Sequence, residues 1–426
     1  MTMNLVFSRS VILLGSALLA LPPSYSSQQT SPVSFRAEIH QYLEKNPRDP
    51  FSLIKDEIET IGFPGSGSGP LDYLKVLLEK LEVSIHSQQL VFSTTSLQLS
   101  MISPRNPRAI YFNEDVYLGY VPGGQIEVIG IDPGLGSIPY IFSPPSNLGR
   151  AALPKVIRSR RCMNCHAADD LGGFPALLLS SVIPGPGGGS IDAFRKSQTG
   201  HSVPYELRFG GWHLTGSNVF ASTWANSTGL MHPKGISKVP VPPGTRFKWD
   251  KYLVPRSEVV PSLVLEHQVG FVNRCIGASY RAREIRADPK LKEEEKLAHM
   301  AKESKDIVEY TLFADEARLP SPVAYADSPF AKAFEAKGLQ SPTGLHLRKF
   351  NLKDRLFEHR CSYMLHSLSF QGLPDEIRGA VLSEIKGLMT MDQSALPPRF
   401  AYLGRIERSE IHETLSSTLP PYASLK

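Results

Sequence analysis

Five residues near the middle of the chain have the types and spacing for a definite piece of chemistry: Cys162-Met163-Asn164-Cys165-His166. C-x-x-C-H is the attachment pattern of c-type haem, in which two thiols add across the porphyrin vinyl groups and the adjacent imidazole coordinates the iron. Two intervening residues let both sulfurs reach one edge of a flat ring, and the next residue then falls beneath the metal. Two other readings compete, half of a zinc site and a CxxC redox pair followed by an incidental histidine. A zinc site needs two more ligands at close spacing, and the chain has no second CxxC and no HxxxH.

The chemistry of such a haem depends on what faces His166 across the iron. A methionine raises the potential, a histidine lowers it, and an empty position permits peroxide or small-ligand chemistry. Three residues are candidates: His201, Met231 and His267, lying 35, 65 and 101 positions beyond His166. His201 and Met231 sit in Gly/Pro-flanked stretches, and His267 on a helix face. Each has an ordinary alternative, as a solvated loop histidine, a packing methionine or a buried helix histidine. Pro175, in Gly172-Gly173-Phe174-Pro175, is the candidate carbonyl acceptor for the Nδ1–H of His166. Arg208 is a candidate partner for a haem propionate and Trp212 a candidate wall for the ring. Their plain alternatives are an ordinary loop proline, a surface arginine and a core tryptophan.

The start of the chain bears on the choice. Residues 1–26 read as a secretory signal peptide, with Arg9 the one charge, an apolar run from Val11 to Leu21, then Pro22 and Pro23 and the small residues Ser24 and Ser26. The apolar run is too short to span a bilayer, so no stable membrane span is expected after cleavage. Covalent haem attachment takes place outside the cytoplasmic membrane, which makes a periplasmic or secreted location consistent with the motif. The net charge of +5 over 426 residues is weak and dispersed, which argues against nucleic acid as a partner. Cys275 and Cys361, left over from the motif, can form a disulfide in an oxidising compartment or remain two buried thiols.

Around these residues the periodicity places helices between Phe35 and Ser84. Short strands follow at Ala109–Phe112, Val116–Val121, Gln125–Ile131 and Ile138–Phe142, separated by Pro122-Gly123-Gly124 and Asp132-Pro133-Gly134. From Pro261 onward the pattern is mainly helical, including a helix through Leu297–Leu312, an apolar helix at Cys361–Ser367 and another beginning at Pro374. Thirty-five prolines and 33 glycines imply many loops.

The order of these motifs resembles a family of secreted, haem-binding proteins of environmental bacteria described as cytochrome c domain-containing. The stretches that carry it are Pro107–Asn113, Gly119–Gly124, the CMNCH motif, Ser181–Pro184, Arg208–Trp212 with Thr215-Gly216, Leu265–Gln268, Leu312–Glu316, Cys361–Tyr363 and Leu373-Pro374. They span roughly residues 100–380. The resemblance implies a periplasmic protein with one haem and no assigned reaction. This chain departs from the pattern after Trp212: it has Gly216-Ser-Asn-Val and Leu230-Met231-His232-Pro233 where the family has His-Gly and His-Met-Gly-Asn, which leaves the role of that loop open.

The expected fold is mainly α and loop-rich, with a small antiparallel β-meander and a cytochrome c-like haem segment embedded in a larger helical protein. The expected divisions are 1–26 signal peptide, 27–150 N-terminal helices and meander, 151–260 haem segment and 261–426 helical region. The expected function is one-electron transfer by a single covalent haem c, with a periplasmic redox partner protein. The alternatives are a peroxidase-type oxidoreductase with an open distal side and a haem-based redox or gas sensor.

Overall fold

The computed structural model describes residues 32–60, 69–145, 153–195 and 198–425, so the expected signal peptide lies outside the described residues. The strands are β1 (Gln89–Val91), β2 (Arg108–Phe112), β3 (Val116–Tyr120), β4 (Ile126–Asp132), β5 (Gly136–Phe142), β6 (Ile157–Arg158), β7 (Ser181–Pro184), β8 (Ser190–Arg195), β9 (Trp212–His213), β10 (Ser227–His232) and β11 (Gly235–Pro240). The helices are α1 (Pro50–Thr60), α2 (Pro70–Lys80), α3 (Met163–His166), α4 (Val259–Ala287), α5 (Glu293–Thr311), α6 (Pro329–Ala336), α7 (Leu368–Gln371), α8 (Asp375–Thr390), α9 (Arg405–Thr418) and α10 (Pro420–Ala423).

The four expected meander strands are the centre of something larger. They form one antiparallel sheet of seven strands in the order β6-β5-β4-β3-β2-β1-β9, beside two separate hairpins, β7-β8 and β10-β11. The expectation of a mainly α protein is therefore wrong: 39% of the described residues are helix and 15% strand. A helical cytochrome c fold is also not what surrounds the motif. Between 153 and 258 the described chain holds short strands and 3-10 turns, with α3 its one α-helix. β1, β6 and β9 have three residues or fewer, too short for alternation to show in sequence.

Directly paired residues of an antiparallel sheet share a face. One face carries Leu90, Ala109, Leu118, Val128, Tyr140 and Phe142, all buried. It lies under the N-terminal helices, with Phe51 of α1 packed at 4.7 Å on Tyr140 and Tyr73 of α2 at 6.5 Å on Phe142. On the other face Phe112 meets Phe330 of α6 at 5.9 Å, Gln89 meets Ser262 of α4, and Val91, Tyr117, Ile131, Ser137 and Pro139 are buried as well. Its remaining part is the setting of the motif.

α4 is buried on all sides from Val259 to Val272, as its apolar residues on both faces imply. The apolar stretch Cys361–Ser367 is not a helix. Only a 3-10 turn, Tyr363–His366, forms there, between Ser362 and Ser367, whose hydroxyls accept backbone N–H groups and satisfy them locally. Cys275 and Cys361 are both buried and both free, so the possible disulfide is not formed. Among the described residues no helix is long and apolar enough to cross a membrane.

Candidate functional site

The motif follows β6 directly. Arg160–Cys162 is a 3-10 turn that runs into α3, and this local helix sets Cys162 and Cys165 three residues apart on neighbouring positions of one turn. Met163 points the other way. It is buried, 3.4 Å from the Tyr42 hydroxyl, which itself donates to the Ser137 carbonyl at 2.8 Å. Burying Met163 leaves the thiols outward: Cys165 is exposed and Cys162 half-buried, and both are free. The Cys162 thiol donates to Ser159 Oγ at 3.1 Å, and burial raises its pKa above the ordinary thiol value.

The ring of His166 is oriented by the backbone. Its Nδ1 lies 2.9 Å from the Ala176 carbonyl, and Ala176 N–H donates back to the His166 carbonyl at 2.7 Å. A carbonyl only accepts, so Nδ1 must carry the hydrogen and Nε2 keeps its lone pair. Burial lowers the pKa of the ring, and the Ala176 bond partly opposes that. Pro175, the expected acceptor, does not serve: its carbonyl takes the Ser137 N–H at 3.4 Å, and the His166 acceptor is the next residue. The loop is fixed from the far side by Asn273 of α4, whose side-chain amide exchanges two hydrogen bonds with the Leu177 backbone at 2.7 and 2.9 Å.

Beside the motif lies the uncovered part of the sheet. Ile157, Ile141, Glu127, Gly119 and Ile110 form one row across five strands, and Ile129 and Pro139 belong to the next row on the same face. Ile110, Glu127, Ile129 and Ile141 are half-buried and Ile157 is 53% exposed. Arg108, on the same face, reaches Glu127 at 3.1 Å across Gly119. Glu127 also accepts from Ser96 at 2.7 Å and Gln98 at 3.1 Å. The Nε of Arg108 is buried without an acceptor. The charges of Arg108 and Glu127 both act on His166, with opposite sign, and that of Glu127 acts on Cys162. Beside the motif a cleft of about 490 Å³ has Phe35, Tyr42, Pro139 and Met163 among its walls, with Arg36 and Arg160 also lining it.

The remaining expected residues lie apart from these contacts. His201 and His267 bond each other, Nδ1 to Nδ1 at 2.8 Å, and stack with Tyr310 and Phe313 at ring distances of 4.0–5.5 Å. His267 Nε2 is 2.8 Å from Ser362 Oγ. Both rings are buried, and that burial above all holds His201 well below the ordinary value and His267 at about 3. Arg208 is 1% exposed and donates to the carbonyls of Val203 and His201, bracing the turn that carries His201. Trp212 is buried in β9, its indole N–H donating to the Ser180 carbonyl at 3.0 Å. It shares its face with Val91 and Arg108, farther along the sheet. Met231 is 69% exposed on the β10-β11 hairpin.

Comparison with protein-family models, curated proteins and solved structures finds no match.

Two thiols on one turn, with an imidazole whose Nδ1–H is engaged, make a donor set that fits a covalently held porphyrin. The porphyrin brings four nitrogens of its own and asks the protein for one axial ligand at Nε2. Among the described residues no three His, Cys, Asp or Glu side chains form a group able to hold a bare metal ion. Ala176, Asn273, Arg108 and Glu127 were not identifiable from sequence as parts of the site. A backbone acceptor has no residue type, and an Arg–Glu pair nineteen residues apart becomes a pair only through strand register.

Proposed function

We propose that this chain is an exported redox protein carrying one covalent haem c, held by thioether bonds from Cys162 and Cys165 and by His166 on the iron. It is c-type by attachment chemistry and not by fold. In attachment each thiol adds across one vinyl group: a carbon–sulfur bond forms, the thiol hydrogen goes to the neighbouring carbon, and nothing is released. The observation that carries the reading is the His166–Ala176 bond, which gives an imidazole beside two free thiols the tautomer an axial ligand needs. The group supplies a one-electron ferrous/ferric couple. The protein's part is to orient His166 through Ala176, to hold that loop through Asn273, and to leave the Cys165 edge accessible. Export to the periplasm and an electron-exchange partner there belong to the same proposal.

A second reading, an open sixth position with small-ligand or peroxide chemistry, draws support from the fate of the distal candidates. His201 and His267 are committed to each other and Met231 sits on an exposed hairpin. A carrier with a filled sixth position gives a low-spin spectrum unmoved by carbon monoxide or cyanide; an open site shifts readily.

The test of the proposal is the intact mass of full-length protein produced in a host with a working haem c maturation pathway. The expected result is a gain of one haem. In Cys162→Ala that gain persists through a single thioether or disappears. An unmodified parent protein contradicts the proposal.

A further inference from the structure

We infer that the uncovered part of the sheet face, from Ile157 and Ile141 to Gly119 and Ile110, is the surface against which the porphyrin lies, with Arg108 and Glu127 as fixed charges beside the iron. This rests on the haem reading above and says where the haem goes.

The argument starts from covalent reach. Cys162 is three residues past Ser159, to which its thiol is bonded, and Ser159 continues β6, its N–H donating to the Pro139 carbonyl at 2.8 Å. The attachment point is thus tied to the edge of this face. The opposite face is closed by α1 and α2, and the far end of this one by α6. What remains has the composition a flat, mainly apolar ring needs: isoleucines from β2, β4, β5 and β6 left half-buried or exposed, with a glycine among them. Gly119 is buried and adds no side chain, and the Arg108–Glu127 pair closes over it, which sets the two charges at the border of the apolar patch. Ile157, 53% exposed, and the half-buried Ile141, Ile129 and Ile110 lie on one face beside the attachment point, and a covalently tethered ring is the occupant the motif supplies.

The charged pair sharpens the idea. Glu127 is fixed by Ser96, Gln98 and Arg108, so its carboxylate cannot swing away, while the buried Nε of Arg108 has no acceptor. The ferric centre carries one more positive charge than the ferrous. A fixed carboxylate nearby favours the ferric state and a fixed guanidinium the ferrous, each more strongly where water is excluded. The two therefore pull the potential in opposite directions.

The experiment is a spectroelectrochemical titration of full-length haem-loaded protein, after covalent haem has been quantified in each sample. Glu127→Gln should raise the midpoint potential and Arg108→Gln lower it, with the double variant returning toward the parent. Because those substitutions disturb a half-buried pair, Ile157→Asp provides a surface test. It puts a carboxylate beside the ring and should lower the potential, whereas Ile406→Asp, at a 77% exposed site on α9, should leave it unchanged. Covalent haem present with potentials unmoved in all three site variants, or Glu127→Gln and Arg108→Gln shifting the same way, overturns this placement and leaves the haem reading standing. Absence of covalent haem from the parent overturns the reading and the placement together.

Discussion

His201 and His267 show how residue type and residue surroundings diverge. By type they are iron ligands; by surroundings they are core, with rings stacked on aromatic neighbours and nitrogens engaged. Replacing either by alanine should leave the spin state of a bound haem unchanged while costing about 2–4 kcal/mol of stability, read from urea unfolding. Their lowered pKa values also give stability a pH dependence. The unfolded chain restores both to about 6.5, so below that pH it binds protons the folded protein refuses. Stability from this pair is complete above about pH 6.5 and is lost as pH falls toward the folded value of about 3 for His267. Between pH 7 and 5 the loss from His267 alone should be about 2 kcal/mol. His267→Gln should flatten that dependence, and a parallel profile in the variant would count against the assignment. Asp115 and Glu316, both raised by burial to about 7, act in the opposite sense, which is why the comparison is made between variant and parent. The motif itself was legible because it is contiguous. The packing of His201 and His267 was not legible, because stacking partners more than forty residues away leave no mark on a histidine's local sequence.

At the scale of elements, the loop after the motif is held by glycines that cannot be replaced. Gly172 and Gly173 have φ of 92° and 73°. A Cβ on Gly173 would stand 1.8 Å from the Val33 carbonyl, in a segment whose Val33 and Phe35 N–H groups donate to the carbonyls of Gly172 and Gly173. Gly173→Ala should cost roughly 2–4 kcal/mol and reduce haem yield, since the same loop carries Ala176. Gly187→Ala, with nothing within 4 Å, should stay within about 0.5 kcal/mol of the parent. Thermal unfolding of both variants checks the pair. The four meander strands, β2 to β5, and most long helices were readable from period and turn residues. β1, β6 and β9 were not, because two or three residues hold no pattern and their place comes from pairing, and the hairpins β7-β8 and β10-β11 also went unread inside a segment taken as loop. Cys361–Ser367 looked helical from its apolar content, yet flanking serines that cap locally favour a tight turn.

Over the whole molecule the lesson concerns connectivity. The sheet takes strands from Gln89 to His213, so the expected division at residue 150 cuts through a single hydrogen-bonded structure. The described residues from Pro32 onward cluster as one compact unit, and one contiguous core runs from Val33 to Tyr422. Unfolding by urea should accordingly be one transition, with tryptophan fluorescence, which reports Trp212, Trp224 and Trp249, coinciding with far-ultraviolet circular dichroism, which reports mainly the helices. Two separated transitions would contradict a shared core.

The central claim, a haem joined to Cys162 and Cys165, is tested most directly by a pyridine haemochrome spectrum of the denatured protein after extraction with acidified organic solvent. The account predicts that the haem stays with the polypeptide and that its reduced α band lies where porphyrins with both vinyl groups saturated absorb. Haem that passes into the solvent, or a band at the position of unmodified protohaem, would contradict it.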